Sequence, residues 1–314
     1  MEAITNNMPD DKSSKKKRTL KGFADKVTPY LFISPFYILF LIFGLFPIVF
    51  SGILAFSQWD GIGDVQFTGL ENFKRLMADT DFWLSIKNTL IIWVIQTVPM
   101  LVIALVLAFL INLQFVRRKE FFKTTFFLPY VTSVVAVTIL FGLIFSNQSG
   151  LINAVLEMFG REPIAFIDSP FWVRIVIALV GIWQYLGYNM IIYFSGLQRI
   201  PADYYEAAII DGASKYQLFT KITIPLLKPI ILFTVIMSTI GGLQVFAEAQ
   251  VLVPTNATAE GGSLTIVYYI YQTAFLQNRY GYGSTITWGL VVIILVISLI
   301  NWYLTSYRIK GEDD

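Results

Sequence analysis

Six continuously apolar runs dominate the chain, separated by short polar stretches. They fall near Tyr30–Phe56, Thr89–Leu113, Phe126–Phe145, Trp172–Leu197, Ile230–Val253 and Ile286–Leu304. Each approaches or exceeds the roughly 20 residues with which a helix crosses a ~30 Å hydrocarbon core. None alternates apolar with polar positions, so a membrane β-barrel is not expected. The pattern predicts an all-α polytopic membrane protein with six transmembrane helices. The first run is expected to remain as a span, because it is too long for a cleavable signal, lacks a small-residue cleavage pattern and lies behind a polar tail.

Composition narrows the class further. With 56% hydrophobic and only 14% charged residues, the chain has too little charge to cover a soluble surface of this size. It has no cysteine and no histidine, which excludes disulfides, thiol chemistry and the usual zinc or haem ligands, and removes the commonest general base. The residues that remain form no constellation of nucleophile, base and orienting group. The chain is therefore expected not to be an enzyme and to hold no metal, and its surroundings are membrane lipid rather than nucleic acid.

The net charge of +2 says little; the placement of the charges says more. If the N-terminus is cytoplasmic, only Lys74, Arg75, Lys87, Arg161, Arg174 and Arg279 of the 23 Lys and Arg residues fall on the opposite side. The positive-inside rule then places both termini in the cytoplasm, together with the loop between the fourth and fifth runs. Residues 1–28 form a basic cytoplasmic tail around Lys12, Lys15, Lys16, Lys17 and Arg18. It reads as a solvated arm near anionic headgroups. Residues 29–314 form the membrane domain.

The loop at 199–228 is a polar island of helix-forming sequence. Asp203 is placed to cap a short helix, with Glu206 reaching back in capping-box fashion, and Gly212 suits the left-handed residue that ends one. Lys215 to Ile222 predicts a further short turn of helix. Pro225 and Pro229 fit the first turn of the next span, where a missing N–H is tolerated. Local physics leaves two readings open: an ordinary interfacial helix joining two spans, or a docking element whose small Ala207 and Ala208 allow close approach of a partner.

The motif Glu206-Ala207-Ala208, then Gly212, then Ile222 and Pro225, resembles the signature loop of binding-protein-dependent ABC importer permeases. Ile224 stands where that family usually has Leu, a mild apolar exchange. Other stretches resemble the carbohydrate-uptake branch: Phe67-Thr68-Gly69-Leu70-Glu71-Asn72-Phe73, Leu128-Pro129, Ser149-Gly150-Leu151-Ile152-Asn153, Gly187-Tyr188-Asn189-Met190, and Gly196-Leu197-Gln198 with Ile200-Pro201. The short C-terminal tail is similar to that of the maltose-type first permease subunit.

The resemblance implies a mechanism and partners. Glu206, Ala207, Ala208, Asp211, Gly212 and Pro225 would form the element that couples to a cytoplasmic ATPase dimer. This chain has no Gly-rich phosphate loop ending in Gly-Lys-Ser/Thr, so ATP and Mg would be bound by that separate partner. A second, related permease subunit and an extracytoplasmic solute-binding protein would complete the assembly. A bacterial or archaeal cytoplasmic membrane is the expected location.

Polar groups inside spans are costly in lipid and mark the substrate path by default. Span four offers Gln184, Tyr185, Tyr188, Asn189 and Ser195, with Gln184, Tyr188 and Ser195 on one helical stripe. Span five offers Gln244 and Glu248 after the pair Gly241-Gly242. Amides and a carboxylate can bond sugar hydroxyls, and aromatic faces can pack on pyranose rings. Each of these residues can equally be an interhelical link. The flexible outer stretch from Pro254 to Ser263 is either a plain loop or the face toward the binding protein. An ion-coupled sugar carrier is the rival class; it needs intramembrane acid–base relays, whereas Glu248 is the one clear deep carboxylate, and it leaves the Glu206 loop without a task.

Overall fold

The structure is a computed structural model that describes residues 28–113, 116–253 and 261–310, the side chains as far as Tyr303. The basic tail therefore lies outside the described residues, as do Pro254–Glu260 in the outer stretch. The chain divides into two units between Leu54 and Ala55. The first unit holds one long apolar helix, α1 (Thr28–Ala55), which runs one residue past that boundary.

The second unit begins with a two-stranded antiparallel hairpin, β1 (Ser57–Gln58) and β2 (Gln66–Phe67), pairing Ser57 with Phe67. The helices α2 (Glu71–Ala78), α3 (Thr80–Asn112), α4 (Lys119–Val131), α5 (Val134–Ile144) and α6 (Leu151–Met158) follow. The central pair to α3 is α7 (Pro170–Leu197), and after it come the short α8 (Ala202–Ile210) and the long α9 (Lys215–Gly242). The chain closes with α10 (Ala247–Leu252), α11 (Ile266–Leu276) and α12 (Tyr280–Lys310).

Five described helices are long and apolar enough to cross a membrane, and a bent pair raises the number to six. The predicted third span is that pair. Instead of one continuous helix over Phe126–Phe145, α4 and α5 meet at 92° around Thr132 and Ser133. Pro129 sits in the last turn of α4, and a proline there removes a donor from the ladder. The Thr132 hydroxyl turns back to the Pro129 carbonyl at 2.6 Å. The freed Thr132 carbonyl accepts from the Gln184 amide at 3.2 Å. The break is thus stitched to α7.

Helices α3 and α7 run side by side in the same direction: Asn88 lies against Arg174, Gln96 over Gly181, and Met100 beside Asn189. Helices α4 and α9 run antiparallel to α7, with Phe126 at Gly187, Tyr193 bonded to Thr234 at 2.6 Å, and Ser238 beside Asn189. At Gly187 a Cβ would fall 1.7 Å from the Phe126 carbonyl oxygen, so only glycine permits this approach of the two backbones. Asn301 of α12 donates to Thr239 of α9 at 3.1 Å, a link between the two helices.

Two apolar clusters occupy opposite ends of this bundle. One gathers Leu76, Phe82, Ile92, Val173, Val176, Ile266, Tyr268 and Ile286 where α3, α7 and α12 begin. The other gathers Met100, Phe109, Tyr193, Phe194, Leu197, Leu218 and Leu227 where α3 and α7 end and α9 begins. At the first end Asp79 caps α3 through the N–H groups of Asp81 (2.9 Å) and Phe82 (3.2 Å). Its other oxygen accepts the hydroxyls of Tyr269 (2.6 Å) and Tyr282, while the Arg75 guanidinium lies 4.4 Å over the Tyr282 ring. This cap explains why α3 begins nine residues before the apolar run at Thr89 would suggest.

The fifth span also departs from expectation. The turn predicted at Lys215–Ile222 is not separate; it continues into the span as one helix through a π-helical stretch, Leu218–Thr223. Pro229 therefore lies inside a helix rather than at its start. Pro225 does fall at the first positions of the α-helical part, Ile224–Gly242, although the π-helical stretch runs straight into it. An α-helical ladder there would lose a donor and clash with the carbonyl four residues back. The wider turn carries the Ile224 N–H to the Phe219 carbonyl, five residues back, immediately before the proline. The same arrangement precedes Pro47 in α1, where Phe46 N–H reaches Leu41. At the far end α9 stops at Gly242, so Glu248 sits beyond a break, in the first turn of α10.

Candidate functional site

Midway between the two apolar clusters, α3, α4, α7, α9 and α10 enclose a cavity of about 380 Å3. Gln96 and Met100 come from α3, Tyr130 from the last turn of α4, and Tyr185, Tyr188 and Asn189 from α7. Met237, Ser238 and Gly241 come from α9, and Gln244, Phe246 and Glu248 from the break and α10. Tyr130 stands just before the first helix break and Glu248 just after the second, and both line the same hollow.

Tyr188 stacks on Tyr130 with ring centroids 4.7 Å apart and planes 19° from parallel, and Tyr185 meets Tyr130 edge-on at 6.0 Å. This aromatic wall faces polar groups. The Asn189 amide donates to the Tyr185 carbonyl at 3.0 Å and receives the Ser238 hydroxyl at 3.5 Å. Gln244 donates to the Ile240 carbonyl at 3.0 Å and is exposed. Glu248 is only 6% exposed, with the backbone N–H groups of Glu248 and Phe246 beside its carboxyl. Gln96 is 5% exposed, and its side-chain oxygen has no partner among the described residues.

Of the residues expected on the substrate path, Tyr188, Asn189, Gln244 and Glu248 line this cavity together. Gln184 does not. Its amide is spent on the Thr132 carbonyl at the α4–α5 break, which makes it a strut of the cavity wall. Ser195 is exposed and bonds its own helix at the Ile191 carbonyl, so the stripe of three divides among three tasks. Gln96, Tyr130 and Ser238 are lining residues that sequence reasoning missed. The available signals were a glutamine inside the apolar run of α3 and a serine inside that of α9.

The second feature is α8, at the other end. Its inner face, Tyr205 and Ala208, packs with Ala213 against the cluster around Phe109 and Leu218, and the Tyr205 hydroxyl meets that of Thr223 at 3.0 Å. Glu206, Ala207, Asp211 and Gly212 are exposed, and so are Ile209 and Ile210, the latter to 85%. Pro225 is exposed in α9, just past the π-helical stretch. An adjacent pair of isoleucines held out on a short polar helix is a surface suited to a partner.

The ends of α8 differ in part from expectation. Pro201 is the N-cap and Asp203 lies inside the first turn with no side-chain cap bond, because a proline before the helix already fixes the entry. The capping box belongs to the next helix, where the Ser214 hydroxyl accepts the Gln217 N–H and the Gln217 side chain accepts the Ser214 N–H. Gly212 does take the left-handed conformation, φ +80°, and closes a Schellman turn: its N–H reaches Ile209 and that of Ala213 reaches Ala208 at 2.8 Å. A second hollow of about 530 Å3, beside the β hairpin, is lined by Asp60, Asp64, Glu71, Arg75 and Arg279, among others, and holds none of the expected site residues.

Comparisons with known proteins bear on both features. Residues 76–306 match the family of binding-protein-dependent transport system inner membrane components. The lactose transport system permease of Rhizobium radiobacter is 38% identical over 296 residues, covering 93% of this chain and 98% of that one. An arabinooligosaccharide transport system permease of Bacillus subtilis is 35% identical over 291 residues, 92% of either chain. A chain of a bacterial ABC transporter that imports the acidic polysaccharide alginate superposes with a TM-score of 0.80 at 26% identity, over 92% of this chain and 99% of its own. A second structure of an alginate transporter, in complex with an alginate pentasaccharide-bound periplasmic protein, gives 0.80 at 27%, over 93% and 98%. A family match that spans both α8 and the cavity sets the ion-coupled carrier aside: the chain is a multi-pass permease belonging to the inner membrane components of binding-protein-dependent ABC transport systems.

Proposed function

We propose that this chain forms one half of the translocation pathway of an ATP-driven sugar importer, and that its cavity receives the sugar. The observation that carries this reading is the meeting of the Tyr130–Tyr188 aromatic wall with Asn189, Gln244, Glu248 and Gln96 in one hollow. A pyranose ring presents an apolar face to stack on a phenol and a girdle of hydroxyls to bond to amides and carboxylate. Relatives that carry lactose and arabinooligosaccharides support the substrate class. The second, related permease subunit closes the open side of the cavity.

The coupling function falls to α8. In this reading Glu206, Ala207, Ala208, Asp211, Gly212 and Pro225 meet a cytoplasmic ATPase dimer, a separate polypeptide that binds the ATP and Mg. The exposed Ile209 and Ile210 seat in its surface and Glu206 bonds a basic or N–H group there. Closure of the dimer moves α8, and α9 carries the movement to the cavity wall, so that access alternates between the two sides. The hairpin end faces outward, toward the extracytoplasmic solute-binding protein, in a bacterial or archaeal cytoplasmic membrane.

The test is sugar-stimulated ATP hydrolysis by this chain co-purified with its partner permease, ATPase and binding protein in proteoliposomes. Glu206→Ala removes one charge-assisted contact, about 1.5–3 kcal/mol, and lowers stimulated hydrolysis at least tenfold in an assembly of normal composition. Unchanged stimulation in that variant refutes the coupling assignment. Absence of stimulation by any saccharide refutes the substrate class.

A further inference from the structure

We propose that the cavity discriminates by charge, admitting uncharged saccharides and rejecting acid sugars, and that Glu248 is the residue that does so. This rests on the reading of the cavity as a saccharide site and deepens it to a substrate class. Among the described lining residues Glu248 is the one charged group, and no Lys or Arg shares the wall. Its neighbours are the N–H groups of Phe246 and Glu248 and the phenol of Tyr185. None of them is a cation that could bridge it to a second carboxylate.

The rest of the lining is neutral in a matching way. Asn189, Ser238, Gln244 and the tyrosines bond hydroxyls without regard to charge. Gln96, the remaining polar side chain of the wall, is likewise uncharged. A uronate or sugar phosphate bound in this hollow would share it with the Glu248 carboxylate. At about 6 Å and an effective dielectric near 20, the repulsion disfavours it roughly 100-fold relative to its neutral counterpart. A transporter of the same fold imports the acidic polysaccharide alginate, so the fold by itself does not exclude acid sugars.

The experiment uses the assembled permease–ATPase complex in nanodiscs without binding protein, so that selection by the binding protein does not enter. Calorimetric or saturation-transfer binding compares two matched pairs, galactobiose with digalacturonate and cellobiose with its uronate. Wild type is expected to bind at least one neutral sugar tenfold or more tighter than its acid counterpart. Glu248→Gln should shrink that ratio to about threefold or less, and Glu248→Asp should retain most of it. Equal ratios in wild type and Glu248→Gln, or a wild-type preference for the acids, overturn the charge filter alone. If wild type binds neither member of either pair, the saccharide reading fails and takes the filter with it.

Discussion

Replacing Asp79 by alanine removes four hydrogen bonds from one corner of the bundle. The cap on α3 contributes about 1 kcal/mol. The hydroxyls of Tyr269 and Tyr282 lose their charged acceptor, and Tyr282, only 5% exposed, is left with a stranded donor at about 1–3 kcal/mol. The expected loss is about 3 kcal/mol, or a fall of about 6 °C in the apparent unfolding midpoint at ~2 °C per kcal/mol for a chain this long. Asp79→Asn keeps one carbonyl acceptor and should lose about half as much. Tryptophan fluorescence during heating in detergent measures both. Burial by itself would raise the Asp79 carboxyl, but the bonds from Tyr269, Tyr282 and the N–H groups of Phe82 and Asp81 outweigh it and hold it below 3.8. A carboxyl lowered in the folded state stabilises above its unfolded value, and the contribution is lost as pH falls through the folded one. The wild-type advantage over Asp79→Asn should therefore be level from pH 7 to about 5 and fade below about 4. A midpoint for Asp79→Ala within about 1 °C of wild type, or an advantage that grows on acidification, refutes the role of this corner.

Three further outcomes follow from the packing. Gly187→Ala drives a Cβ into the Phe126 carbonyl, so α4 and α7 separate; a loss of about 3 kcal/mol or more is expected, seen as a lower midpoint and poor recovery of the assembled complex. Gln184→Leu strands the Thr132 carbonyl at the break and should cost about 1–3 kcal/mol of stability, while the order of preference among sugars stays as in wild type. Gly212→Val forces a β-branched residue to φ +80°, a strain of about 1–2 kcal/mol, and should lower sugar-stimulated ATP hydrolysis more than it lowers the midpoint.

The membrane class, the six apolar runs and the exposed Glu206 helix were legible because hydropathy and a local motif carry them. What the chain does within a run was not. The stretch from Phe126 to Phe145 is apolar throughout, and nothing in its periodicity says that Thr132 and Ser133 turn it by 92°. That turn depends on Gln184, fifty-two residues away, to take up the freed carbonyl. Glu248 was placed in a span because the apolar count runs past Gly242, whereas the helix itself stops there. Gln96 is a lone amide in a largely apolar stretch, and only its packing over Gly181 of α7 brings it to the wall. Ser195 and Gln184 share a helical stripe with Tyr188, yet a stripe on a helix that touches several neighbours has several destinations.

The π-helical stretch ahead of Pro225 also sets a phase. Each residue of an α-helix turns the next by about 100°, so an inserted residue rotates everything beyond it by that amount. The face of α9 that packs near α8 and the face that presents Met237, Ser238 and Gly241 to the cavity are clocked against each other by the wide turn at Leu218–Thr223. Deleting one residue within it would leave the span long enough to cross, and the α8 sequence intact, yet turn the Met237 and Ser238 side chains and the open face at Gly241 about 100° away from the hollow. Angular register, independent of length or hydropathy, is thus a property the loop and the cavity hold in common.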